Sequence, residues 1–272
     1  MERYTKLKKV DLHCHTYYSF DSKTEPEELI LYAINKGLDM IAITDHADVD
    51  YADCGMIEDF RSDERKELLL SLKRKYRDKI TVIYGIELGQ PLNNKELADK
   101  LIADNGYEYV LGSIHNLRYL PDFAILDFKK LNEYPTMVDN LFNRNIDDLI
   151  ALAEVPYIDV ITHITYMVRY INAAGGELKL DPYYPKFERL FNAMIKNGKA
   201  LEINTSNLRR GFGTTMPSED LVKLYAELGG KLITVGSDAH RVHEIGANIE
   251  EGYALAEKYG LTPVTEIKEL YL

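Results

Sequence analysis

The sequence contains no tryptophan and only two cysteines, Cys14 and Cys54. Neither cysteine belongs to a Cys-x-x-Cys pair, which argues against a zinc site built from thiolates. Cys14 lies between His13 and His15, and neighbouring side chains on a strand point to opposite faces. We therefore expect Cys14 to be a small buried residue that faces away from whatever the two histidines bind.

Long apolar runs are also absent. No segment approaches the roughly 20 apolar residues that are needed to span a bilayer. The first residues, MERYTKLKKVDLHCH, lack the apolar stretch and cleavage site of a signal peptide. We expect a cytoplasmic protein that has no membrane partner.

Basic residues are the minority among the charged residues. The chain has 33 Lys and Arg against 44 Asp and Glu, for a formal net charge of −11. Its one evident basic stretch, residues 73–79, is typical of the solvated face of a helix. A nucleic-acid partner is therefore not expected.

Short segments rich in Val, Ile and Leu recur along the 272 residues, as in strands that are covered on both faces. We predict seven strands, at residues 9–13, 40–45, 81–88, 109–114, 157–163, 200–205 and 232–237. Helical patterns alternate with them at residues 25–35, 57–77, 94–104, 134–154, 182–196, 218–228 and 245–259. For the first helix, Thr24 is the expected N-cap and Gly37 the expected stop.

Seven consecutive βα units predict either an open doubly wound sheet or a closed barrel, with ligands collected at the carboxyl ends of the strands. The barrel is favoured because candidate ligands follow at least six of the seven strands. An open sheet would spread these strand ends too widely for one site. No linker, repeat or low-complexity tract interrupts the chain, so we expect one domain over residues 1–272. The irregular segment 116–132 is expected to overhang the site.

The ends of the predicted strands are rich in metal-binding side chains. His13 and His15 share one side of an extended segment and could grip one metal ion together. Glu87 is a carboxylate among apolar residues and glycines, and such a group is costly to bury unless it is paired or holds a metal. The other side chains at these ends are Asp45, His46, His115, His163, Asp238 and His240. Together they predict a multinuclear metal site and a metal-dependent hydrolase.

Six short motifs, in this order, resemble those of the PHP (polymerase and histidinol phosphatase) superfamily. They are His13-Cys14-His15, Thr44-Asp45-His46, Gly85-Ile86-Glu87, Ser113-Ile114-His115, Thr162-His163 and Ser237-Asp238-Ala239-His240. The resemblance covers nearly the whole chain. The length, the Met-Val-Arg-Tyr segment after His163 and the Leu-Glu-Ile-Asn-Thr run are similar to the stand-alone histidinol-phosphate phosphatase branch. Membership implies a distorted (β/α)7 barrel, which agrees with the seven units.

The resemblance also implies how the ligands are divided among three divalent metal ions. The first ion would take His13, His15, Glu87 and Asp238; the second would share Glu87 and add His115 and His163; the third would take Asp21, His46 and His240. Some family members have a histidine where this chain has Asp21. The oxygen ligand makes the third site harder and more tolerant of Mn²⁺. Histidine with carboxylate suits Zn²⁺, Fe and Mn²⁺ alike, so the identity of the ions stays open.

A phosphate monoester needs cationic side chains beside the metals, and forked guanidinium groups suit phosphate oxygens. Arg169 follows the fifth predicted strand, and Arg209 and Arg210 follow the sixth. The choice between the last two stays open. His243 is either a proton donor to the leaving group or a surface histidine.

The resemblance implies a phosphomonoesterase that hydrolyses L-histidinol phosphate in histidine biosynthesis. Glu87, Asp238 and His240 are the expected catalytic residues. Metal ions can activate a water molecule, so no side chain is needed as nucleophile. The alternatives are a PHP-type phosphodiesterase or nuclease, a phosphatase for another small metabolite, and a non-enzymatic metal-binding module. Glu58, Asp59 and Arg61 are candidates for selecting the histidinol group, without support from any motif.

Overall fold

The structure is a computed structural model and describes residues 8–49 and 61–271. Cys54, Glu58, Asp59 and the predicted helix start at Ile57 lie outside the described residues. Within the described ranges the strands are β1 Val10–Cys14, β2 Met40–Ile43, β3 His46–Asp48, β4 Thr81–Gly89, β5 Tyr109–Ser113, β6 Val160–Ile161, β7 Ala200–Asn204, β8 Leu232–Gly236 and β9 Thr262–Pro263.

The helices alternate with these strands. They are α1 Pro26–Lys36, α2 Ser62–Tyr76, α3 Lys95–Asn105, α4 Phe128–Leu131, α5 Pro135–Leu152, α6 Tyr166–Ala173, α7 Tyr184–Lys196, α8 Ser206–Arg209, α9 Glu219–Glu227 and α10 Ile249–Lys258. Single 3-10 turns cover Pro91–Asn94, Asp181–Tyr183, Val242–Glu244 and Ile267–Tyr271. In the two described ranges, no helix has the length and apolar character required to cross a membrane.

The strands form one sheet, and each pair of neighbouring strands is parallel. The strand order is β1-β2-β4-β5-β6-β7-β8-β9, and β3 pairs with β4 beyond the end of β2. Setting aside β3, which extends the line of β2, and β9 at the edge, seven of the nine strands form the barrel. The predicted (β/α)7 fold is confirmed, and all seven predicted strands are present.

The barrel closes between β1 and β8, but only at their carboxyl ends. The backbone N–H of Asp238 donates to the carbonyl of His13 at 2.8 Å, and that of His15 donates to Ala239 at 2.8 Å. At the other end of β8, Leu232 and Ile233 pair with β9 instead. The two sheet edges therefore meet on the side where the predicted metal ligands lie and diverge on the other side, which is the distortion of the barrel.

Asp11 strengthens this closure from a fully buried position. One carboxylate oxygen accepts from the backbone N–H of Ser237 at 2.8 Å, and the other accepts from the hydroxyl of Ser237 and from the N–H of Gly246 at 2.7 Å. A buried carboxylate is tolerated when hydrogen bonds satisfy it. Asp11 thus joins the first strand to the segment that carries Asp238 and His240.

Two apolar layers lie on either side of the strands. The inner layer fills the barrel below the metal-ligand end, and the outer layer packs the strands against the helices. Along β1, Val10 and Leu12 belong to the inner layer, whereas Cys14 belongs to the outer layer. Regular alternation would put Cys14 inside, but the register of β1 against β2 shifts between Asp11 and Cys14.

This irregularity in β1 has a functional consequence. A bulge reverses which side chains face inward, and bulges are common next to active sites for that reason. Here it turns His13 and His15 into the barrel and leaves Cys14 buried in the outer core. Burial raises the pKa of the Cys14 thiol well above its usual range, which keeps it protonated. The expectation that Cys14 is a buried residue facing away from the histidines is confirmed.

Two predicted helix starts are wrong. Thr24 does not cap α1; its hydroxyl donates to the carbonyl of His240 at 3.1 Å, and Glu25 occupies the N-cap position without a side-chain bond. The last helix begins at Ile249 instead of residue 245, because Gly246 and Asn248 have left-handed backbone angles (φ 62° and 60°) that a helix cannot include. The predicted stop of α1 at Gly37 is confirmed.

We predict that Asp11→Asn lowers the free energy of unfolding by about 2–4 kcal/mol, because an amide donor then faces groups that need an acceptor. Urea denaturation at equal metal content measures this change. Asp39→Asn is the control, since Asp39 is exposed and accepts one bond from the N–H of Lys9 at 2.8 Å. Equal stability of the two variants would contradict a role for Asp11 in closing the barrel.

Candidate metal centre

Glu87 lies at the centre of the cluster, with its side chain 0% exposed on β4. One carboxylate oxygen is 3.0 Å from His13 Nε2, 3.4 Å from His15 Nε2 and 3.1 Å from His46 Nδ1. The other is 3.1 Å from His115 Nε2 and 2.8 Å from His163 Nε2. Five imidazoles from the ends of four strands, two of them from β1, therefore converge on one carboxylate. This geometry is compatible with the bridging role that the family resemblance implies for Glu87.

Asp238 provides a second carboxylate on the side of His15 and His240. Its Oδ1 is 3.5 Å from His15 Nε2, 3.5 Å from His240 Nδ1 and 3.9 Å from His13 Nε2. Its backbone is left-handed, with φ 54°, and that of His163 is also positive at 23°. Such angles are costly for residues with side chains and are typical of functional sites.

Asp21 joins the cluster at its solvent edge. Its carboxylate oxygens are 3.0 Å from His240 Nε2 and 3.7 Å from His46 Nε2. The two Nε2 atoms of His46 and His240 are themselves 3.4 Å apart. The structure therefore brings together all nine side chains that the sequence predicts as metal ligands.

The donor set fits divalent metal ions. His15 Nε2 and His46 Nδ1 are buried and have no hydrogen-bond partner among the described residues, although carboxylate oxygens lie 3.1–3.5 Å away. A ring nitrogen and a carboxylate oxygen that face each other without a shared proton are both electron-pair donors, and a cation can bind between them. Imidazole together with carboxylate suits Zn²⁺, Mn²⁺ and Fe. Within the described residues, five triads place ligand atoms within 4.8 Å of one another: His15, His46 and His240; His13, His15 and Asp238; His13, Glu87 and His163; His46, Glu87 and His115; Asp48, His115 and Asp122.

The electrostatics act on the members of the cluster in different directions. Burial lowers the pKa of imidazoles such as His13 and His240, but the neighbouring carboxylates outweigh it and raise the pKa. Burial alone would raise the pKa of Glu87, but the imidazoles of His13 and His46 outweigh it and hold the pKa well below its usual range. Burial together with the neighbouring His240 and His46 lowers the pKa of His15 to about 3. The central carboxylate is therefore anionic and His15 is neutral near pH 7, as metal ligands must be.

Sequence reasoning overlooked two buried carboxylates that hold the ligands. Glu202 on β7 lies 2.6 Å from His13 Nδ1 and accepts from the backbone N–H of His163 at 2.9 Å. Asp48 on β3 lies 3.2 Å from His115 Nδ1. Carboxylates in this position fix the tautomer and orientation of a metal-binding histidine. Glu202 carried the same signal as Glu87, a carboxylate inside an apolar strand.

Asp45 was expected either to orient a metal-binding imidazole or to cap the next segment. It is a third buried carboxylate that supports a ligand. It is buried, accepts from Arg65 Nε at 2.6 Å, and accepts from the hydroxyl of Ser19 at 3.1 Å. The hydroxyl of Ser19 lies 3.0 Å from His15 Nδ1. Asp45 therefore orients His15 through Ser19.

A cavity of about 510 Å³ opens above the cluster. Its wall includes His46, His115, His163, Asp238 and His240 together with segment 116–125, so the predicted overhang is present. Arg169 and Arg210 also line it. The cavity therefore joins the candidate metal ligands to two guanidinium groups.

The arginines differ in what they contact. Arg169 on α6 is buried, and it donates through Nε to Asn207 at 2.7 Å and through Nη2 to the hydroxyl of Ser206. Arg209 donates to the carbonyls of Ser237 and, at 2.6 Å, of Asp238. These bonds engage Arg209 in holding the segment that carries Asp238.

Arg210 is exposed and reaches both the main cavity and a side cavity. His243 is exposed in the side cavity with Arg209 and does not line the main one. Arg61 precedes α2, and its guanidinium carbon lies 5.4 Å and 4.8 Å from the ring centroids of Tyr17 and Tyr18. It does not line the main cavity.

The fold and the site define a class of protein, an α/β barrel that carries clustered histidines and carboxylates at the carboxyl ends of its strands. The chain belongs to the PHP domain family, whose model matches residues 11–206.

The chain is 32% identical over 263 residues to the "Probable histidinol-phosphatase" of Clostridium acetobutylicum, covering 96% of this chain and 97% of that one. It is 26% identical over 260 residues to the "Histidinol-phosphatase" of Lactococcus lactis, covering 93% and 92%. A crystal structure of histidinol phosphate phosphatase from Lactococcus lactis, complexed with zinc, L-histidinol and phosphate, has the same fold. Its TM-score is 0.79 at 24% identity, covering 94% and 95% of the two chains.

We predict that Glu202→Gln weakens metal binding about 10- to 100-fold, because His13 loses the carboxylate that fixes its orientation. Competition with a chromogenic chelator measures this change. Glu227→Gln on α9 is the control, since the side chain of Glu227 is 60% exposed and distant in the fold. Unchanged affinity in Glu202→Gln would show that the contact to His13 is dispensable.

Proposed function

We propose that this chain is a metal-dependent phosphomonoesterase that hydrolyses L-histidinol phosphate to L-histidinol and phosphate. The observation that carries the proposal is the Glu87 cluster at the floor of a cavity whose wall also holds Arg169 and Arg210. The names of the relatives and the ligands of the similar crystal structure support the choice of substrate. The substrate is a small molecule, and the reaction belongs to histidine biosynthesis.

We further propose three divalent ions, with the ligands divided as the family resemblance implies. The first set is His13, His15, Glu87 and Asp238; the second is Glu87, His115 and His163; the third is Asp21, His46 and His240. Distances within each set are short, as are some between sets, such as the 3.1 Å from His46 Nδ1 to Glu87. The support for this particular division is therefore the family resemblance. Since ligands from β1 to the segment after β8 enter one centre, we propose that the whole chain acts as a single domain.

When bound, such ions supply Lewis acidity and lower the pKa of water enough to provide a nucleophile near neutral pH. The residues of the chain position the substrate around that chemistry. Ser206 and Asn207 hold the Arg169 guanidinium with its plane fixed, so its fork can bind phosphate oxygens. Arg210 adds positive charge from the rim and offsets the charge that develops on the phosphoryl group.

Glu87, Asp238 and His240 are the proposed catalytic residues. Asp238 accepts from Asn204 Nδ2 at 3.3 Å and from the hydroxyl of Ser206 at 3.2 Å, and it faces the cavity. It is therefore placed to accept a proton from a water molecule beside the phosphate. His240 lies between Asp238 and Asp21 at the cavity edge, where it would help to hold the third ion, whose positive charge would stabilise the phosphoryl group.

The direct test is phosphate release by the metal-loaded protein. We predict a strong preference for L-histidinol phosphate over p-nitrophenyl phosphate, with no turnover of bis-p-nitrophenyl phosphate or short single-stranded DNA. A net charge of −11 disfavours the last of these. Treatment with a chelator should abolish activity, and added Zn²⁺ or Mn²⁺ should restore it. Cleavage of the diester or of DNA in place of the monoester would contradict the proposal.

The two neighbouring arginines should give different defects. We predict that Arg210→Ala lowers kcat/KM for the phosphate monoester about 10- to 100-fold at unchanged thermal stability, since it removes a charged contact to phosphate. Arg209→Ala should instead lower the melting temperature and the metal content, because the carbonyls of Ser237 and Asp238 lose their donor. Steady-state kinetics, thermal unfolding and metal analysis separate the two. Identical profiles would show that the two arginines share one role.

A further inference from the structure

The side cavity has a volume of about 510 Å³ and adjoins the main one. Asp21, Arg210 and His240 line both cavities, so the two are neighbours on either side of these residues. The segment that follows β8 completes the wall of the side cavity with Arg241 and His243. Neither of these two residues lines the main cavity, and the proposed reaction uses neither.

The acidic side chains of this wall already have partners. Glu244 lies 3.5 Å from Arg209 Nη2 and also accepts from the backbone N–H of His240 at 3.0 Å. Asp21 lies 3.0 Å from His240 Nε2 and belongs to the proposed ligand set of the third ion. Both carboxylates are therefore engaged within the wall, and neither is left to balance a further positive charge in the cavity.

Three basic side chains of the wall have no such partner. Arg210, Arg241 and His243 are exposed at the side cavity. Within residues 8–49 and 61–271, none of the three forms an ion pair or a side-chain hydrogen bond. Because the chain as a whole carries a net charge of −11, this unbalanced positive charge is a local property of the cavity. A cleft lined by one sign of charge attracts ligands of the opposite sign.

The chemistry of these groups fits a phosphate ion. Guanidinium groups bind phosphate oxygens through paired N–H donors, and an imidazole can donate one further hydrogen bond. The proposed reaction releases phosphate in the main cavity, which shares Arg210 and His240 with the side cavity. A phosphate ion that leaves past these two residues enters the side cavity, where Arg241 and His243 can bind it.

We propose that the side cavity is a second phosphate site, which binds the product phosphate as it leaves the main cavity and so speeds its release. The role in release rests on the proposed function, because phosphate is the product of that reaction. Arg210 belongs to both sites, whereas Arg241 and His243 act only in the second. Contacts in the side cavity form as those in the main cavity are lost, so the ion leaves in two smaller steps.

Binding of inorganic phosphate to the metal-loaded protein tests the site. Equilibrium dialysis with radiolabelled phosphate should find two ions bound per wild-type chain. Arg241→Ala should weaken the second about 10- to 100-fold, as for the loss of a charge-assisted hydrogen bond, and Arg241→Lys should weaken it less. Arg189→Ala is the control, since Arg189 is exposed on α7 and lines neither cavity. If Arg241→Ala does not fold, His243→Ala takes its place.

Kinetics test the role in release. Release of product contributes to kcat, whereas kcat/KM contains no step after the ester bond is irreversibly cleaved. Arg241→Ala should therefore lower kcat for L-histidinol phosphate about threefold or more at unchanged kcat/KM, because release becomes the slow step. Rapid-quench measurements should then show a burst of L-histidinol in the first turnover, which a purely structural defect would not produce.

The outcomes separate the second site from the proposed function. One bound phosphate per wild-type chain, or two that Arg241→Ala leaves unchanged, would overturn the site. An equal loss of kcat and kcat/KM at normal metal content would overturn it too, since Arg241 would then act in the main cavity. Loss of the second phosphate without any change in kcat would overturn the role in release. Wild-type protein that binds two phosphate ions but hydrolyses no monoester would instead reject the proposed function.

Discussion

Glu87 is a carboxylate without solvent exposure, surrounded by the nitrogen atoms of five imidazoles. An isolated carboxylate at such depth would carry a large desolvation penalty, and imidazoles crowded together would repel one another once protonated. The imidazoles stabilise the buried carboxylate, and the carboxylate offsets positive charge on the imidazoles. The divalent cations that this donor set suits would stabilise both groups further. The strand ends therefore have to converge, and the rest of the molecule is arranged so that they do.

Three features of the structure produce this convergence. The register shift in β1 turns His13 and His15 inward. The barrel closes only at the carboxyl ends of β1 and β8, where Asp11 connects the first strand to the segment that holds Asp238. Behind the ligands, Glu202 and Asp48 set the directions of the imidazoles. The register shift, the partial closure of the barrel and the buried carboxylates all have the same effect. They hold ligands from distant parts of the sequence at hydrogen-bond distance from one another.

Much of this arrangement could be predicted from the sequence, because parallel strands align their carboxyl ends and the apolar runs mark those ends clearly. His115 and His163 are examples: each lies at the end of a short strand segment that contains Val, Ile or Leu, and the recurrence of such ends along the chain groups them. Asp21 was found only through the family resemblance, since a carboxylate in a turn gives no local signal. Glu202 was overlooked because a single carboxylate on a strand does not reveal which histidine it contacts. The different roles of Arg209 and Arg210 depend on side-chain direction in a short helix end, which the pattern of residue types does not encode.

We propose that Glu87 would be shared between two of the three metal ions. The most direct measurement is anomalous X-ray scattering from crystals of the protein purified with its metals, collected on both sides of the zinc, iron and manganese absorption edges. The account predicts two peaks, one on each carboxylate oxygen of Glu87, and a third among Asp21, His46 and His240. Crystals of metal-supplied protein in which the Glu87 oxygens contact only imidazole nitrogens, with no anomalous peak beside them, would contradict it.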